Sequence, residues 1–440
     1  MSVAINISSL TYDQINYLEN LLHMIPVQNI HDKKIINPID FISIINQTIF
    51  IPYMIASTIL PTIPNINNTF IKTPLIFTAT LRDNQIPVYN EALEQLKTYG
   101  TTTLALDPGF GKTILGARFT IEIGLLTVVL MHRETLTTQW KTTYEKSTNA
   151  IVWIVELGNT IPPPNYNVII CMDTRWHKIP DDIRSKVGLL IIDEAHAFCT
   201  PSHVNCLLAF QPAYIIAESA TLERDDEMHN MIYAICGTHG VYREQEKQYT
   251  VTKIITNFVP LRKMNRMKKT DWTKLVRDTL MNPRRNDIIC NLAIHHKEDS
   301  ILILTSLIDH VHILYNTLKN IDSCDYLCGN KKSYKDCRIL IGTTHKLGVG
   351  FDQETFCKDF SGNKFKILIL VCSIKKYSML IQIIGRIRHI SPNIIILVDS
   401  DPIYLNHWRK IHNWFKKRDA NIISHNINQL TIDLTKNILL

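Results

Sequence analysis

The sequence predicts an α/β protein with two doubly wound parallel sheets in tandem and a small accessory domain at the N-terminus. A chain of 440 residues is too long for one ordinary core, which favours two or three domains. From about residue 79, continuous apolar runs alternate with polar loops and helical segments, and the alternation starts again after about residue 285. Apolar runs without polar alternation are typical of strands buried on both faces, as in a parallel sheet.

The predicted elements follow this alternation along the chain. Strands of the first half are TTTLALDP (101–108), LLTVVLMH (125–132), YNVIICMD (166–173), VGLLIIDE (187–194) and AYIIAESA (213–220). Strands of the second half are SILILTS (300–306), CRILIGTT (337–344), KFKILILVCS (364–373) and NIIILVDS (393–400). We therefore expect an accessory domain over 1–78, a first α/β domain over 79–255 and a second over 256–440, which begins with a basic connecting segment, 256–285.

The charge distribution is compatible with nucleic-acid binding. The net charge is +7, and residues 261–285 hold nine Lys or Arg against two Asp. A second basic stretch, YLNHWRKIHNWFKKR (404–418), interleaves aromatic side chains with Lys and Arg. Such mixing suits base stacking with phosphate neutralisation, but aromatic residues at helical spacing more often form core, and we favour core here.

The sequence predicts an intracellular protein without a membrane span. The first residues, MSVAINISSL, show neither the basic start nor the apolar core of a secretory signal. The apolar run 41–60 is interrupted by Asn46, Gln47, Thr48 and Pro52, which favours a packed domain. The ten cysteines contain no CxxC pair and are expected to be ordinary thiols in a reducing compartment.

The segment LDPGFGKT (106–113) predicts a phosphate-binding loop, because it follows a predicted strand and precedes the predicted helix TILGARFTIEIG. Gly109 and Gly111 allow backbone N–H groups to approach phosphate oxygens. Lys112 can reach the β- and γ-phosphates of ATP, and the Thr113 hydroxyl can bind Mg²⁺. The alternative is a glycine turn whose Lys and Thr are incidental, since the full pattern wants glycine where Leu106 stands. The loop residues expected around the nucleotide are Pro108, Gly109, Phe110, Gly111, Lys112 and Thr113.

The segment LLIIDEAHAF (189–198) places two adjacent carboxylates at the end of an apolar strand. At the carboxyl edge of a parallel sheet, such acids lie where ligands bind. We expect Asp193 to hold Mg²⁺ and Glu194 to orient and polarise the attacking water, with His196 completing the box. Taken alone, the four residues could be a solvated strand end. The phosphate loop 80 residues upstream strengthens the catalytic interpretation.

Glycine-Lys-Thr followed by Asp-Glu-Ala-His, in this order and spacing, resembles the superfamily 2 nucleic-acid helicases and translocases. The resemblance implies two RecA-like domains, ATP hydrolysis with Mg²⁺, and movement along a nucleic acid. It extends over residues 80–400 through further short segments. LRDNQ (81–85) resembles the segment that reads adenine, with Gln85 as the candidate and Arg82 beside it.

Three more segments resemble those through which the family grips nucleic acid or couples the grip to ATP. HRETLTTQW (132–140) resembles the segment that touches the nucleic-acid backbone, and ESATLERDD (218–226) resembles the coupling segment. IGTTHKLGVGFD (341–352) resembles the segment that holds backbone phosphate and approaches the nucleotide. The residues these resemblances single out are Arg133, Gln139, Trp140, Ser219, Thr221, Thr343 and Thr344 for nucleic acid or coupling, and Gly350 and Asp352 for the nucleotide. For Thr343 and Thr344, a satisfied strand-end hydroxyl is the alternative.

The segment QIIGRIRHI (382–390) resembles the family pattern Gln-x-x-Gly-Arg-x-x-Arg, which supplies arginine to the γ-phosphate. Gln382 and Arg386 match, but the position of the last arginine holds His389, and Arg388 comes one residue earlier. On a regular helix, positions 386 and 389 share a face whereas 386 and 388 point apart. Either Arg388 reaches the phosphate from an irregular segment, or Arg386 acts with His389 assisting. We favour Arg388, because histidine is mostly neutral at pH 7.

Within the superfamily, SATLERDD and GVGFD resemble the XPB-like branch and the transcript-release helicases of poxviruses and other large cytoplasmic DNA viruses. The resemblance implies an ATP-dependent helicase or translocase on DNA, with a role in viral transcription and with transcription machinery as a partner, in the host cytoplasm or the virion. Two alternatives stay open: an RNA helicase, and an accessory factor that uses ATP as a switch without separating strands.

Overall fold

The structure is a computed structural model that describes residues 2–27, 37–60, 70–158, 161–220, 223–224, 226–244, 247–264, 270–348, 351–375, 377–387, 389 and 391–427. The chain divides into two compact units, Met1–Glu244 and Gln245–Leu440. Each unit contains one parallel sheet, as the two series of apolar runs predicted.

The strands of the first unit are β1 (Ser2–Asn6), β2 (His23–Met24), β3 (Ile39–Asp40), β4 (Ser43–Ile45), β5 (Thr48–Pro52), β6 (Thr101–Leu106), β7 (Thr127–Met131), β8 (Val152–Ile154), β9 (Val168–Met172), β10 (Leu189–Ile192), β11 (Tyr214–Ser219) and β12 (Val241–Arg243). Its helices are α1 (Tyr12–Leu22), α2 (Tyr53–Ile59), α3 (Ile86–Tyr99), α4 (Lys112–Ile123), α5 (Glu134–Ser147), α6 (Asp181–Arg184), α7 (Val204–Leu208) and α8 (Asn230–Cys236).

The parallel sheet of the first unit has the strand order β12-β6-β11-β10-β7-β9-β8 among the described residues. Leu190 of β10 pairs with Val128 of β7 on one side and with Ile215 of β11 on the other. All four residues of β10 are buried, because helices cover both faces of the sheet. The order places β11 between β6, which leads into the phosphate loop, and β10, which ends at the paired carboxylates.

The N-terminal segment packs into the first unit and does not form a unit of its own. β1, β5 and β4 form a small antiparallel sheet, and Val3 and Ile51 belong to the same buried cluster as Val128 and Leu190 of the parallel sheet. The Ser2 hydroxyl also donates to the carbonyl oxygen of Leu208 over 2.7 Å. A small antiparallel sheet with one apolar face is stable only when that face is covered, and the first unit covers it.

The run 41–60, which the sequence assigned to a packed region, forms β4, β5 and α2 there. Within the described residues, no helix has the length and apolar character needed to cross a bilayer.

The strands of the second unit are β13 (Thr250–Ile255), β14 (Ile301–Thr305), β15 (Cys324–Leu327), β16 (Ile339–Thr343), β17 (Ile367–Leu370), β18 (Asn393–Val398) and β19 (Asn421–Asn426). Its helices are α9 (Trp272–Leu280), α10 (Pro283–His295), α11 (Ile308–Leu318), α12 (Thr344–Leu347), α13 (Gln353–Phe356), α14 (Tyr377–Ile384) and α15 (Pro402–Lys416). They surround a parallel sheet of order β15-β16-β14-β17-β18-β13-β19.

The expected domain boundary at residues 255 and 256 lies too late in the sequence. β13 pairs in parallel with β18 on one side and with β19 on the other, so it is an interior strand of the second sheet. The apolar run of β13 does not reveal which of two similar sheets it joins, because strand partners are selected by long-range packing.

The two basic stretches contribute to the second unit's own packing. In α15, Trp408, Trp414 and Phe415 are buried, in agreement with the core interpretation. In 261–285, the Arg285 guanidinium is buried and pairs with the Asp399 carboxylate at 2.9 Å. The number of free positive charges in this stretch is therefore smaller than the sequence suggests. All ten cysteines are free thiols, as expected.

Candidate ATP and nucleic-acid site

The phosphate loop joins β6 to α4 at the carboxyl edge of the first sheet, as predicted. Gly109 and Gly111 have φ angles of 87° and 97°, a region that favours glycine. A Cβ atom at Gly111 would lie 2.4 Å from Nε2 of Gln85 and 2.8 Å from Nη2 of Arg82. Glycine is thus required at position 111 both by backbone conformation and by close approach of two side chains.

Gln85 and Arg82 brace this loop from the side. The buried Gln85 amide donates from Nε2 to the Phe110 carbonyl oxygen over 2.9 Å, and its Oε1 accepts from the Arg82 backbone N–H over 2.9 Å. The Arg82 guanidinium donates to the carbonyl oxygens of Gly109, at 3.3 Å, and Phe110. Both residues therefore shape the loop. Their expected contact with adenine stays a prediction.

The first residues of α4 carry the groups expected to hold phosphate and magnesium. Lys112 Nζ donates to the Leu106 carbonyl oxygen over 2.8 Å, so it lies folded over the loop. The Thr113 hydroxyl accepts a hydrogen bond of 3.3 Å from Gln139 Nε2 of α5. A residue of the segment expected to grip nucleic acid thus contacts the expected magnesium ligand.

Asp193 directly follows β10 and is buried. An indole N–H group donates to its carboxylate. Trp140 Nε1 of α5 donates to Asp193 Oδ2 over 2.7 Å. Burial, followed by the nearby charge of Glu194, raises the pKa of Asp193 to about 6. Such a carboxylate is best stabilised by a cation, since an uncompensated buried charge is costly.

Trp140 has no exposed surface, which favours coupling over direct contact with nucleic acid as its expected function. Both functions stay predictions, and the bond to Asp193 supports coupling. The sequence did not indicate that the indole is buried, because its burial depends on the packing of α5 against the sheet. Arg133, the residue that caps α5, is partly exposed.

Glu194 and His196 connect the carboxylate pair to β11. Glu194 has φ 53° and ψ 50°, a left-handed conformation that costs a non-glycine residue about 1 kcal/mol or more and is common at functional sites. His196 Nδ1 lies 3.4 Å from Glu194 Oε2 and 3.0 Å from the Ser219 hydroxyl. Burial lowers the pKa of His196, which is therefore neutral. Thr221, the other expected coupling residue, lies outside the described residues.

Glu218 is a site residue that the sequence analysis missed. It is fully buried in β11, and neither carboxyl oxygen has a hydrogen-bond partner among the described residues. Burial, followed by the charge of Asp193, raises the pKa of Glu218 well above its usual value, so the side chain is neutral. A charged residue type inside the apolar run AYIIAESA was the available signal.

These residues fit ATP with Mg²⁺ by the chemistry of their donor set. Magnesium prefers oxygen ligands such as the Thr113 hydroxyl and the Asp193 carboxylate. The glycine loop leaves room for phosphate oxygens next to backbone N–H groups at the N-terminus of α4. Lys112 and the helix end supply the positive charge that a polyphosphate needs.

In the second unit, the expected phosphate-gripping hydroxyls are buried. Thr343 caps α12 by accepting a bond of 3.3 Å from the Lys346 backbone N–H, and Thr344 is also buried. The capping bond favours the satisfied-hydroxyl alternative for Thr343. Asp352 caps α13, and Gln382 is buried in α14. Their nucleotide contacts stay predictions, and Gly350 lies outside the described residues.

Arg386 braces the segment that precedes α13. Its guanidinium donates to the carbonyl oxygens of Gly348 at 3.3 Å and Phe351 at 2.9 Å. α14 ends at Ile384, so Arg386 and His389 do not share a face of a regular helix. Arg388 lies outside the described residues, and its expected action on the γ-phosphate stays a prediction.

Comparison with known proteins finds similarity to helicases. Residues 78–224 match the family described as "Type III restriction enzyme, res subunit". The chain is 29% identical over 405 residues to "Putative helicase 161L" of Invertebrate iridescent virus 6, covering 85% of this chain and 89% of the relative. It is 28% identical over 284 residues to "Putative helicase 055L" of Frog virus 3, covering 62% of this chain and 65% of the relative.

Among solved structures, S. cerevisiae Dbp5 bound to RNA and ADP BeF3 matches with a TM-score of 0.55 over 79% of this chain and 92% of that chain. At 15% identity this likeness concerns the fold, which is two RecA-like domains in tandem. The fold, the phosphate loop and the carboxylate pair define an ATP-hydrolysing nucleic-acid motor. These comparisons support a superfamily 2 helicase, and the two relatives named above are viral proteins.

Proposed function

We propose that this helicase uses ATP and Mg²⁺ to move along DNA. The observation that carries the proposal is the pair of contacts between α5 and the ATP site. Gln139 donates to the Thr113 hydroxyl, and Trp140 donates to the Asp193 carboxylate. α5 follows directly on Arg133, the residue expected to hold the nucleic-acid backbone. A shift of this helix on nucleic-acid binding changes two expected magnesium ligands at once.

Bound ATP supplies the phosphoanhydride bond, and Mg²⁺ supplies positive charge to the phosphate oxygens. Lys112 leaves the Leu106 carbonyl oxygen to pair with phosphate, and Thr113 and Asp193 offer oxygen ligands. Glu194 orients the attacking water and accepts its proton. Neutral His196 relays the position of Glu194 to Ser219, at the end of β11.

DNA is the proposed substrate because the segments around Ser219 and Asp352 resemble the XPB-like branch, which acts on DNA. Contacts of this kind are made to phosphates, so binding is weakly sequence-specific and falls steeply with salt. By the same resemblance, and with viral relatives, we propose a function in viral transcription, in the elongation, termination or transcript-release step. Transcription machinery is the proposed partner, and the host cytoplasm or virion is the proposed location.

The test measures ATP hydrolysis by the full chain with single-stranded DNA, duplex DNA and single-stranded RNA at low and moderate salt. We expect the largest stimulation with DNA and a loss of stimulation with added salt. Stimulation by RNA alone replaces DNA with RNA as the substrate, and no stimulation by any nucleic acid refutes the coupling through α5.

Two further measurements separate the alternatives. Lys112→Ala abolishes hydrolysis, whereas Lys97→Ala, a change at an exposed lysine of α3, leaves the rate unchanged. Strand displacement on tailed duplexes, measured beside translocation on single strands, distinguishes a helicase from an ATP-switched factor that never separates strands.

A further inference from the structure

Three side chains from separate parts of the first unit meet at the carboxyl edge of its sheet, and none of them is a residue assigned to ATP. His132 follows β7, and Asp173 follows the neighbouring strand β9, where Met131 and Met172 are paired. His203 ends a short 3-10 helix just before α7. Their ligating atoms all lie within 4.8 Å of one another.

The two imidazoles converge on one carboxylate oxygen. His132 Nδ1 lies 2.5 Å and His203 Nε2 lies 2.6 Å from Asp173 Oδ2. The other oxygen, Oδ1, is buried and has no hydrogen-bond partner among the described residues. A triad built only for hydrogen bonding would use both oxygens, because a buried acceptor without a partner costs about 1–3 kcal/mol.

We propose that His132, Asp173 and His203 form a binding site for a divalent transition-metal ion of the zinc type. Two imidazole nitrogens and one carboxylate are a borderline donor set that suits Zn²⁺, and Oδ1 offers a second carboxylate contact. With bonds of ~2.0–2.1 Å at tetrahedral angles, the ligating atoms lie about 3.3 Å apart. The imidazoles therefore need to retreat from Oδ2 by less than about 1 Å.

The surroundings of the three ligands fit this assignment. His203 Nδ1 lies 2.7 Å from the Thr200 hydroxyl, which orients the ring as partners of metal-bound histidines do. Coordination needs only a tautomer change, because the His203 proton moves to Nδ1, facing Thr200, and the His132 proton moves to its outer nitrogen.

The three ligand side chains differ in how far they are exposed to solvent. The Asp173 side chain is 2% exposed and that of His203 10%, whereas that of His132 is 44% exposed. Asp173 and His203 are thus shielded from solvent, and His132 lies on the solvent side of the site. Both imidazoles direct a ring nitrogen at the Asp173 carboxylate, which offers oxygen to the same ion.

The ion would tie together the ends of β7 and β9 and the segment before α7. His132 immediately precedes Arg133 in the chain, so the ion would also hold the start of α5. The metal site itself does not depend on which nucleic acid the protein binds.

The test uses the full chain, freed of metal with a chelator, loaded with Zn²⁺ and dialysed against metal-free buffer. Elemental analysis is expected to find about one zinc per chain in the wild type. Co²⁺ in place of zinc is expected to give weak visible bands without the intense near-ultraviolet band of thiolate ligands. The cobalt spectrum distinguishes metal binding at this site from metal binding by the free cysteines.

His132→Ala removes the exposed ligand and is expected to weaken zinc binding by more than about tenfold, since even an outer partner of a ligand contributes about 10- to 100-fold. His177→Ala, at an exposed histidine of the same unit, and Asp193→Asn, in the ATP site, are expected to keep the zinc. Zinc is also expected to raise the thermal unfolding midpoint of the wild type but not that of His132→Ala.

Three results would each overturn the proposal. The first is that the wild type retains no zinc, in which case the three residues form only a hydrogen-bonded triad. The second is an unchanged zinc affinity in His132→Ala. The third is loss of the zinc in Asp193→Asn. None of these results bears on nucleic-acid stimulation of ATP hydrolysis, so failure here is distinguishable from failure of the proposed function.

Discussion

Replacing Gly111 with alanine tests how the phosphate loop is built. The backbone at Gly111 has φ 97°, in the left-handed region. A residue with a side chain adopts this region at a cost of about 1–2 kcal/mol. The new Cβ would stand 2.4 Å from Nε2 of the buried Gln85, so the amide must move and lose its bond to Phe110, which contributes about 1 kcal/mol. The sum of about 2–3 kcal/mol corresponds to a loss of about 30- to 150-fold in the population of the native loop.

The assay is kcat/KM for ATP, with chemical unfolding of each variant as the stability measurement. Gly124→Ala is the matched control, because Gly124 also has a positive φ, 65°, but a Cβ there would meet nothing closer than 3.9 Å. We expect Gly124→Ala to lower stability while leaving kcat/KM close to wild type. A Gly111→Ala variant with kcat/KM within about threefold of wild type would refute the argument from strain and close approach.

Four other substitutions test the coupling, the arginines and a pH effect. Trp140→Phe keeps a ring but removes the donor to Asp193, a charged bond worth about 1.5–3 kcal/mol, so turnover should fall about 10- to 100-fold in a folded protein; wild-type turnover would exclude this contact from the mechanism. Arg388→Ala should lower kcat, and an intact rate would exclude it as the arginine of the γ-phosphate. Arg386→Ala should lower stability, because it removes the bonds to Gly348 and Phe351. Burial, then the charge of Arg285, lowers the pKa of His310 to about 3, so the folded state keeps this histidine neutral while the unfolded state takes up a proton below about pH 6.5. Stability should therefore be complete above pH 6.5 and fall by about 1.4 kcal/mol per unit below it, or about 2 kcal/mol at pH 5, and His310→Gln should lose less stability than wild type in urea unfolding at these two pH values; equal losses would contradict the buried neutral state.

The differences between prediction and structure concern which sheet or core a segment joins, more than whether a predicted strand forms. The predicted strands are present close to their predicted bounds, because each apolar run is long enough and apolar enough to be buried on both faces. The expected placement of β13 and of the N-terminal segment was wrong. β13 joins the second sheet, and β1 and β5 join the core of the first unit.

In the candidate site too, short local motifs were predicted from the sequence, whereas contacts between distant residues were not. Glycine, lysine and carboxylate spacing located the phosphate loop and the Asp-Glu pair, because each chemistry needs its residues within one short loop. The bond from Trp140 to Asp193 joins residues 53 positions apart, and the triad joins Asp173 to His132 over 41 positions and to His203 over 30 positions. Neither follows from local spacing.

Local sequence therefore predicted the class of fold, the candidate nucleotide loop and the resemblance to helicases. These depend on burial periodicity and on short motifs, and both are properties of neighbouring residues. Tertiary structure alone decided that Trp140 is internal, that Glu218 is a buried neutral acid, that Arg386 braces its own unit, and that two histidines and an aspartate converge. The reason is that the order of strands in a parallel sheet determines which loop ends meet at its carboxyl edge, and that order is set by packing across the whole unit.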